Sequence, residues 1–216
     1  MELMLTSLIG WLSLPLYYLK YPGRKFMPGS LIDIRSVDLG KGVIVRSNVW
    51  LGPKAKVGDY CYISRECRMS YVTFGKFCSI APNVEIIPSG HNYNFFSSYI
   101  FSFQIKDKKK KKYFFEHEAV FHGDVSIGND VWIGQNAKIL GGTKIGDGAV
   151  VGANSFVRDD LKPYGIYVGT PAKLIKYRFS AKKIKQLTDS KWWDKDLDEI
   201  IKIREKELAE SNKPLK

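Results

Sequence analysis

Ile127-Gly-Asn-Asp-Val-Trp132, Ile133-Gly-Gln-Asn-Ala-Lys138, Ile139-Leu-Gly-Gly-Thr-Lys144, Ile145-Gly-Asp-Gly-Ala-Val150 and Val151-Gly-Ala-Asn-Ser-Phe156 are five consecutive groups of six. Each opens on an aliphatic residue, and the second place is glycine in four of them. The fifth place is small or β-branched: Val131, Ala137, Thr143, Ala149 and Ser155. Val157 opens the next group. Upstream the openers are Leu39, Val45, Leu51, Val57, Ile63 and Met69, then, after a slip of one residue, Phe74, Ile80 and Ile86. The small column continues there as Val43, Val49, Ala55, Cys61, Cys67, Thr73, Cys78 and Val84.

A period of six matches neither the 3.6 of a helix nor the 2 of a hairpin sheet. It matches a solenoid in which each hexad is one short strand and a turn, with three hexads closing a triangular coil. The opener and the small residue point into the prism. The glycine suits either a turn of unusual backbone angle or close approach of the next coil. The fold class expected is mainly β, a parallel β-helix.

The stretches Ile127–Gly134, Ile145-Gly-Asp-Gly-Ala-Val-Val-Gly152 and Gly169-Thr-Pro-Ala-Lys173 resemble the hexapeptide-repeat acyltransferases. Tyr177-Arg-Phe179 and Lys191-Trp-Trp193 further resemble the xenobiotic and polysaccharide acetyltransferase branch of that family. The resemblance implies a left-handed β-helix, an exception to the right-handed crossover rule. It also implies acetyl-CoA as acyl donor, no metal, and homotrimers with the coenzyme lying between two prisms.

Three divisions are expected: an apolar N-terminal segment and linker over 1–30, the β-helix over 31–178 and a C-terminal helical extension over 179–216. Residues 3–19 carry no charge and are broken by Pro15. A secretory signal would place basic residues ahead of the apolar run, where only Glu2 stands. Two readings stay open for this segment. It packs on the first coil or a neighbouring subunit, or it anchors on a membrane surface through Trp11, Tyr17, Tyr18 and Tyr21, with Lys20, Arg24 and Lys25 at the headgroups. Residues 1–25 are therefore the candidate membrane contact. Tyr21 to Ser30, with two prolines and two glycines, reads as a linker.

Between 92 and 123 the period is lost. Six aromatics, Tyr93, Phe95, Phe96, Tyr99, Phe101 and Phe103, precede a lysine run from Lys106 to Lys112. A long insertion of this kind projects from one corner and is where function concentrates. Beyond Ser180 the apolar residues Ile184, Leu187, Trp192, Trp193, Leu197, Ile200, Ile201 and Leu208 stand among many charges, as in one or two amphipathic helices.

The net charge of +12 favours an acidic partner. Coenzyme phosphates and an anionic glycan or lipid fit; no nucleic-acid module is present. All three cysteines fall in the small column, as buried free thiols suited to a reducing cytoplasm.

Acetyl transfer needs a base for the acceptor proton, donors for the oxyanion and a cradle for the coenzyme. No serine or cysteine stands in a nucleophile elbow, which favours direct attack. His91 sits where the repeat gives way to the loop, and in the resembling enzymes a histidine there is the base. Glu85 is the candidate to orient it. The same resemblance assigns Trp132, Gly134, Gln135, Gly152, Ala153, Arg158, Lys173 and Lys176 to the coenzyme, and Tyr93, Tyr99 and Phe101 to the acceptor. Ile100 departs from the family's usual Tyr-Pro-Phe at this point.

The function expected is O-acetylation of a sugar hydroxyl, on a surface-polysaccharide precursor or repeat unit at the inner face of the membrane. Acetylation of a chloramphenicol- or streptogramin-type hydroxyl, or N-acetylation of a sugar, is the alternative. A more remote one resembles γ-type carbonic anhydrases, with His91, His117 and His122 on a metal.

Overall fold

A computed structural model describes residues 12–99 and 119–211. Two- and three-residue strands alternate with turns and stack into three sheets, the faces of a triangular prism. Strands pair in parallel with their counterpart one coil on, as in Ile44↔Tyr62 and Trp132↔Val150. The chain forms about seven coils of a left-handed β-helix.

One face carries Lys25–Phe26, Ile44–Val45, Tyr62–Ile63, Ser79–Ile80, Trp132–Ile133, Val150–Val151 and Gly165–Val168, and is closed by the antiparallel strand Lys173–Tyr177. The second runs from Leu31–Ile32 to Phe156–Val157, and the third from Asp38–Leu39 to Lys144–Ile145. Pairing thus begins at Lys25, inside the stretch read as a linker.

Every opener is buried, from Leu39 to Val157. A fully buried aliphatic side chain contributes roughly 1.5–3 kcal/mol, so this column is the main source of stability. The small column is buried too, with one correction. Thr73 is exposed and Val72 takes the inward place. The slip of one residue falls before that strand, so the inward position is fixed by its distance ahead of Phe74 rather than behind Met69. Val125, outside the expected column, fills the equivalent place before Ile127. Its polar members are satisfied: the Ser155 hydroxyl accepts from Gly169 N–H at 3.1 Å, and Thr143 donates to Leu140 O at 2.9 Å.

The second-place glycines serve close approach. A Cβ on Gly58 would stand 2.4 Å from Gly75 O, and one on Gly134 2.6 Å from Ala153 N. The left-handed turn falls two residues later, at Asn48, Lys54, Tyr60, Phe77, Asn136 and Asn154 among others. Asparagine tolerates that conformation, and bulky aromatics resist it. On one corner Asn83, Asn136 and Asn154 form an amide ladder, with bonds of 2.8 and 3.0 Å.

On another corner Tyr60 stacks on Phe77 at 5.1 Å, and Phe77 meets Trp192 at 5.1 Å. These contacts, with buried Trp193 and a Lys76–Asp194 ion pair of 2.9 Å, dock the C-terminal extension. Two α-helices occur there, Ala181–Ser190 and Leu197–Ser211, joined through the 3₁₀ turn Trp192–Asp194.

Residues 12–20 form a helix, α1, that plugs the open end of the first coil. Tyr17 and Tyr21 are buried and flank Phe26 at 5.6 and 6.1 Å. Tyr17 Oη accepts from Ile32 N–H at 3.0 Å, and Tyr21 donates to Val37 O at 2.8 Å. Arg24 binds Leu39 O and Gly40 O. The packing reading therefore accounts for Tyr17 and Tyr21, which cannot be interfacial aromatics. Trp11 lies outside the described residues, as do Phe101, Phe103, the lysine run and His117.

Candidate functional site

The insertion leaves the corner between the second and third faces on a two-stranded antiparallel ribbon, Ser89–His91 against Ala119–Phe121. His91 pairs in register with Ala119 at the end of that ribbon and is exposed. Its Nδ1 stands 2.6 Å from Ser98 O. A carbonyl oxygen only accepts, so Nδ1 carries the hydrogen and Nε2 takes no part in this bond. The sequence reading missed this partner because a backbone carbonyl leaves no mark on residue identity. Glu85 is not the orienting group: its carboxylate holds Lys138 Nζ at 2.6 Å on the second face.

His122 faces the other side of the ribbon. Residues directly opposite in an antiparallel pair share a face and alternate along the strand. Gly90 pairs with Val120, and a Cβ on Gly90 would lie 3.0 Å from His122 Nε2. His91 and His122 therefore do not converge on one ion. Among the described residues no group of three or more His, Cys, Asp or Glu side chains is placed to hold a metal.

The face shared with His91 carries an aromatic step that sequence reasoning did not single out. Phe121, opposite Ser89 and about half exposed, meets Tyr71 edge-on at 4.9 Å. Lys54 Nζ lies over the Tyr71 ring at 5.3 Å. Tyr71 and Lys54 both occupy left-handed turn positions, one coil apart on this corner. The signal was the slip after Met69, which brings Tyr71 to the turn. In the loop Tyr93 and Tyr99 are exposed, and Phe95 packs on Phe96 at 4.8 Å.

Trp132, Gly134, Gln135, Gly152 and Ala153 form a second group. Trp132 lies between Ser79 and Val150 on the outside of the first face and is 54% exposed. Gly134 and Gly152 follow at the next corner, where Gly134 N–H donates to Val151 O at 2.7 Å and Asn154 N–H to Gln135 O at 2.8 Å. Coil packing already demands glycine at 134, so that residue alone does not argue for a ligand. Exposed Gln135 and Ala153 leave a shallow edge that leads toward Lys173 and Lys176, both exposed on the closing strand. Small residues followed by two ammonium groups suit an extended chain ending in phosphates.

The two groups do not meet within one chain. The whole second face, including Lys138–Leu140, separates the corner of Gly134 and Gly152 from that of His91. Arg158 lies on the loop's corner, beside Asp159 at 3.7 Å, rather than with Ala153.

Comparison with known proteins agrees with this architecture. Residues 124–159 match the family model described as bacterial transferase hexapeptide (six repeats). A probable macrolide acetyltransferase of Lysinibacillus sphaericus is 46% identical over 128 residues, 59% of this chain and 71% of that protein. A chloramphenicol acetyltransferase of Morganella morganii is 37% identical over 180 residues, covering 74% and 84%. The putative lipopolysaccharide biosynthesis O-acetyl transferase WbbJ of Escherichia coli K12 is 33% identical over 173 residues, covering 80% and 75%. Among solved structures, the N-acyltransferase AntD of Bacillus cereus, in complex with dTDP and 3-hydroxybutyryl-CoA, shares the fold at a TM-score of 0.60 and 21% identity, over 78% of this chain and 83% of that one.

Proposed function

For a chain that belongs to the hexapeptide-repeat acyltransferases and is an acetyl-CoA-dependent acetyltransferase, we propose that it O-acetylates a sugar hydroxyl with His91 as general base. The observation that carries this reading is the 2.6 Å contact of His91 Nδ1 with Ser98 O at the foot of an aromatic loop. With Nδ1 as the donor to Ser98 O, Nε2 is the ring nitrogen left to take a proton.

Acetyl-CoA supplies an activated acetyl thioester. His91 takes the proton of the acceptor hydroxyl on Nε2 as the oxygen–carbonyl bond forms, and returns it to the departing sulfur as the thioester bond breaks. No residue of the chain becomes acylated. Direct attack fits the cysteines, all three buried in the prism. A correctly placed base of this kind contributes about 10²–10⁴-fold.

Trp132, Gly134, Gln135, Gly152, Ala153, Lys173 and Lys176 hold the coenzyme in this reading, and Arg158, on the corner of His91, meets the coenzyme of a neighbouring copy. Tyr93, Tyr99, Phe121 and Tyr71 wall the acceptor; Phe101, assigned to it by the resemblance, lies outside the described residues. Aromatic faces suit the apolar C–H side of a sugar ring, and Lys54 suits an acidic substituent on it. The separation of the base from the coenzyme edge supports a homotrimer in which one copy's His91 reaches a neighbour's edge.

A second reading, acetylation of an antibiotic hydroxyl, draws on the macrolide and chloramphenicol acetyltransferases among the relatives. Release of coenzyme A thiol from acetyl-CoA, followed over sugars, nucleotide sugars, acidic glycans, macrolides and chloramphenicol, separates the two. Turnover confined to saccharides and lost in His91→Ala supports the proposal. Turnover confined to the antibiotics replaces its acceptor, and turnover indifferent to the mutation removes its base.

A further inference from the structure

We propose that the outer side of α1, with the basic first coil around it, seats the protein on an anionic lipid surface. While Tyr17 and Tyr21 point into the prism, Leu12, Leu16 and Leu19 point away from it, 73%, 47% and 79% exposed. Their spacing of four and three residues puts them on one side of the helix. Tyr18 sits at the edge of this patch, half exposed, with its hydroxyl on Phe26 O at 3.1 Å. Among the described residues nothing packs over these three leucines.

The surrounding charge identifies the occupant. Between residues 20 and 46 stand Lys20, Arg24, Lys25, Arg35, Lys41 and Arg46 against Asp33 and Asp38. Lys20 and Arg24 bind backbone carbonyls, which do not neutralise them. Asp33 is engaged with the Ser36 hydroxyl and Arg35 N–H. An apolar patch beside first and second coils of excess positive charge complements anionic headgroups over acyl chains. A second copy docked patch to patch would instead bring two such positive regions together. Among the described residues no helix is long and apolar enough to cross a membrane.

The full-length protein is sedimented with vesicles of phosphatidylcholine alone and of phosphatidylcholine with phosphatidylglycerol. The expected result is pelleting with the anionic vesicles, weakened by salt, and little with the neutral ones. Substituting Leu12→Ser, Leu16→Ser and Leu19→Ser together leaves the protein in the supernatant while acetyl transfer to a water-soluble acceptor is unchanged. The pair Lys25→Glu and Lys41→Glu, both exposed, lowers the bound fraction roughly tenfold or more and tests the proposal even if the serine variant folds poorly. Wild-type protein that stays in solution with both vesicles overturns it. So does a serine variant that binds as before, or one that loses an oligomeric state the parent has, since then another copy covers the patch.

Discussion

Ser98 O accepts from His91 Nδ1 at 2.6 Å, so a loop backbone sets the tautomer of the candidate base. Replacing His91 by Gln is expected to lower kcat about 10²–10⁴-fold and to leave acetyl-CoA binding intact. Replacing Glu85 by Gln is expected to keep kcat, because Glu85 serves Lys138. Steady-state kinetics with calorimetric titration of the coenzyme checks both.

Complementation tests the shared site. His91→Ala and Ala153→Arg are each expected to be inactive alone. Refolded together at equal ratio, they should recover about a quarter of the parent activity if each site draws its base and its coenzyme edge from different copies. Zero recovery would place both groups in one chain.

Phe121→Ala removes one side of the aromatic step beside His91. The expectation is a rise in acceptor KM of about fivefold, from a stacking contribution near 1 kcal/mol, with acetyl-CoA KM unchanged. Initial rates at varied acceptor concentration measure it.

Gly58→Ala is expected to destabilise the fold by about 1–3 kcal/mol through overpacking, because its Cβ would meet Gly75 O at 2.4 Å. Chemical denaturation monitored by circular dichroism gives the change.

Arg178 Nη1 meets Asp130 Oδ2 at 2.9 Å and Gly148 O at 2.7 Å. Burial raises the Asp130 carboxyl above its ordinary value, and the Arg178 charge opposes that rise. A raised carboxyl favours the fold while protonated, so its contribution is present below the unfolded value of 3.8 and is lost as pH rises through the folded one. Arg178→Ala should enlarge that loss, and Asp130→Asn should abolish it. Thermal melts from pH 3 to pH 7 (a range of about four units) compare the slopes.

Burial pushes the Cys67 thiol up to about 11, and Cys78 is raised well above its ordinary range, first by the hydrogen bond with Cys61 and then by burial. Native protein is expected to resist a thiol reagent at pH 8 and to release three equivalents only in denaturant.

The repeat of six was enough to determine the β-helix, its inward columns and the place where the chain leaves it. Each hexad is a local unit whose apolar opener must be buried, so its period dictates the coil without knowledge of any partner. That His91 stands at the point of departure was equally legible, because it follows from the same period; its role as base is the proposal tested above. Other features needed three dimensions. The exposed Thr73 and buried Val72 depend on how the slip is absorbed between neighbouring coils. The hold of Ser98 on His91 is a backbone bond, which any residue type could make. Phe121 meets Tyr71 across fifty residues only because the ribbon folds back to the corner it left. Tyr17 and Leu16 are both apolar letters in one helix, and only the seat of that helix on the first coil turned one inward and left the other in water.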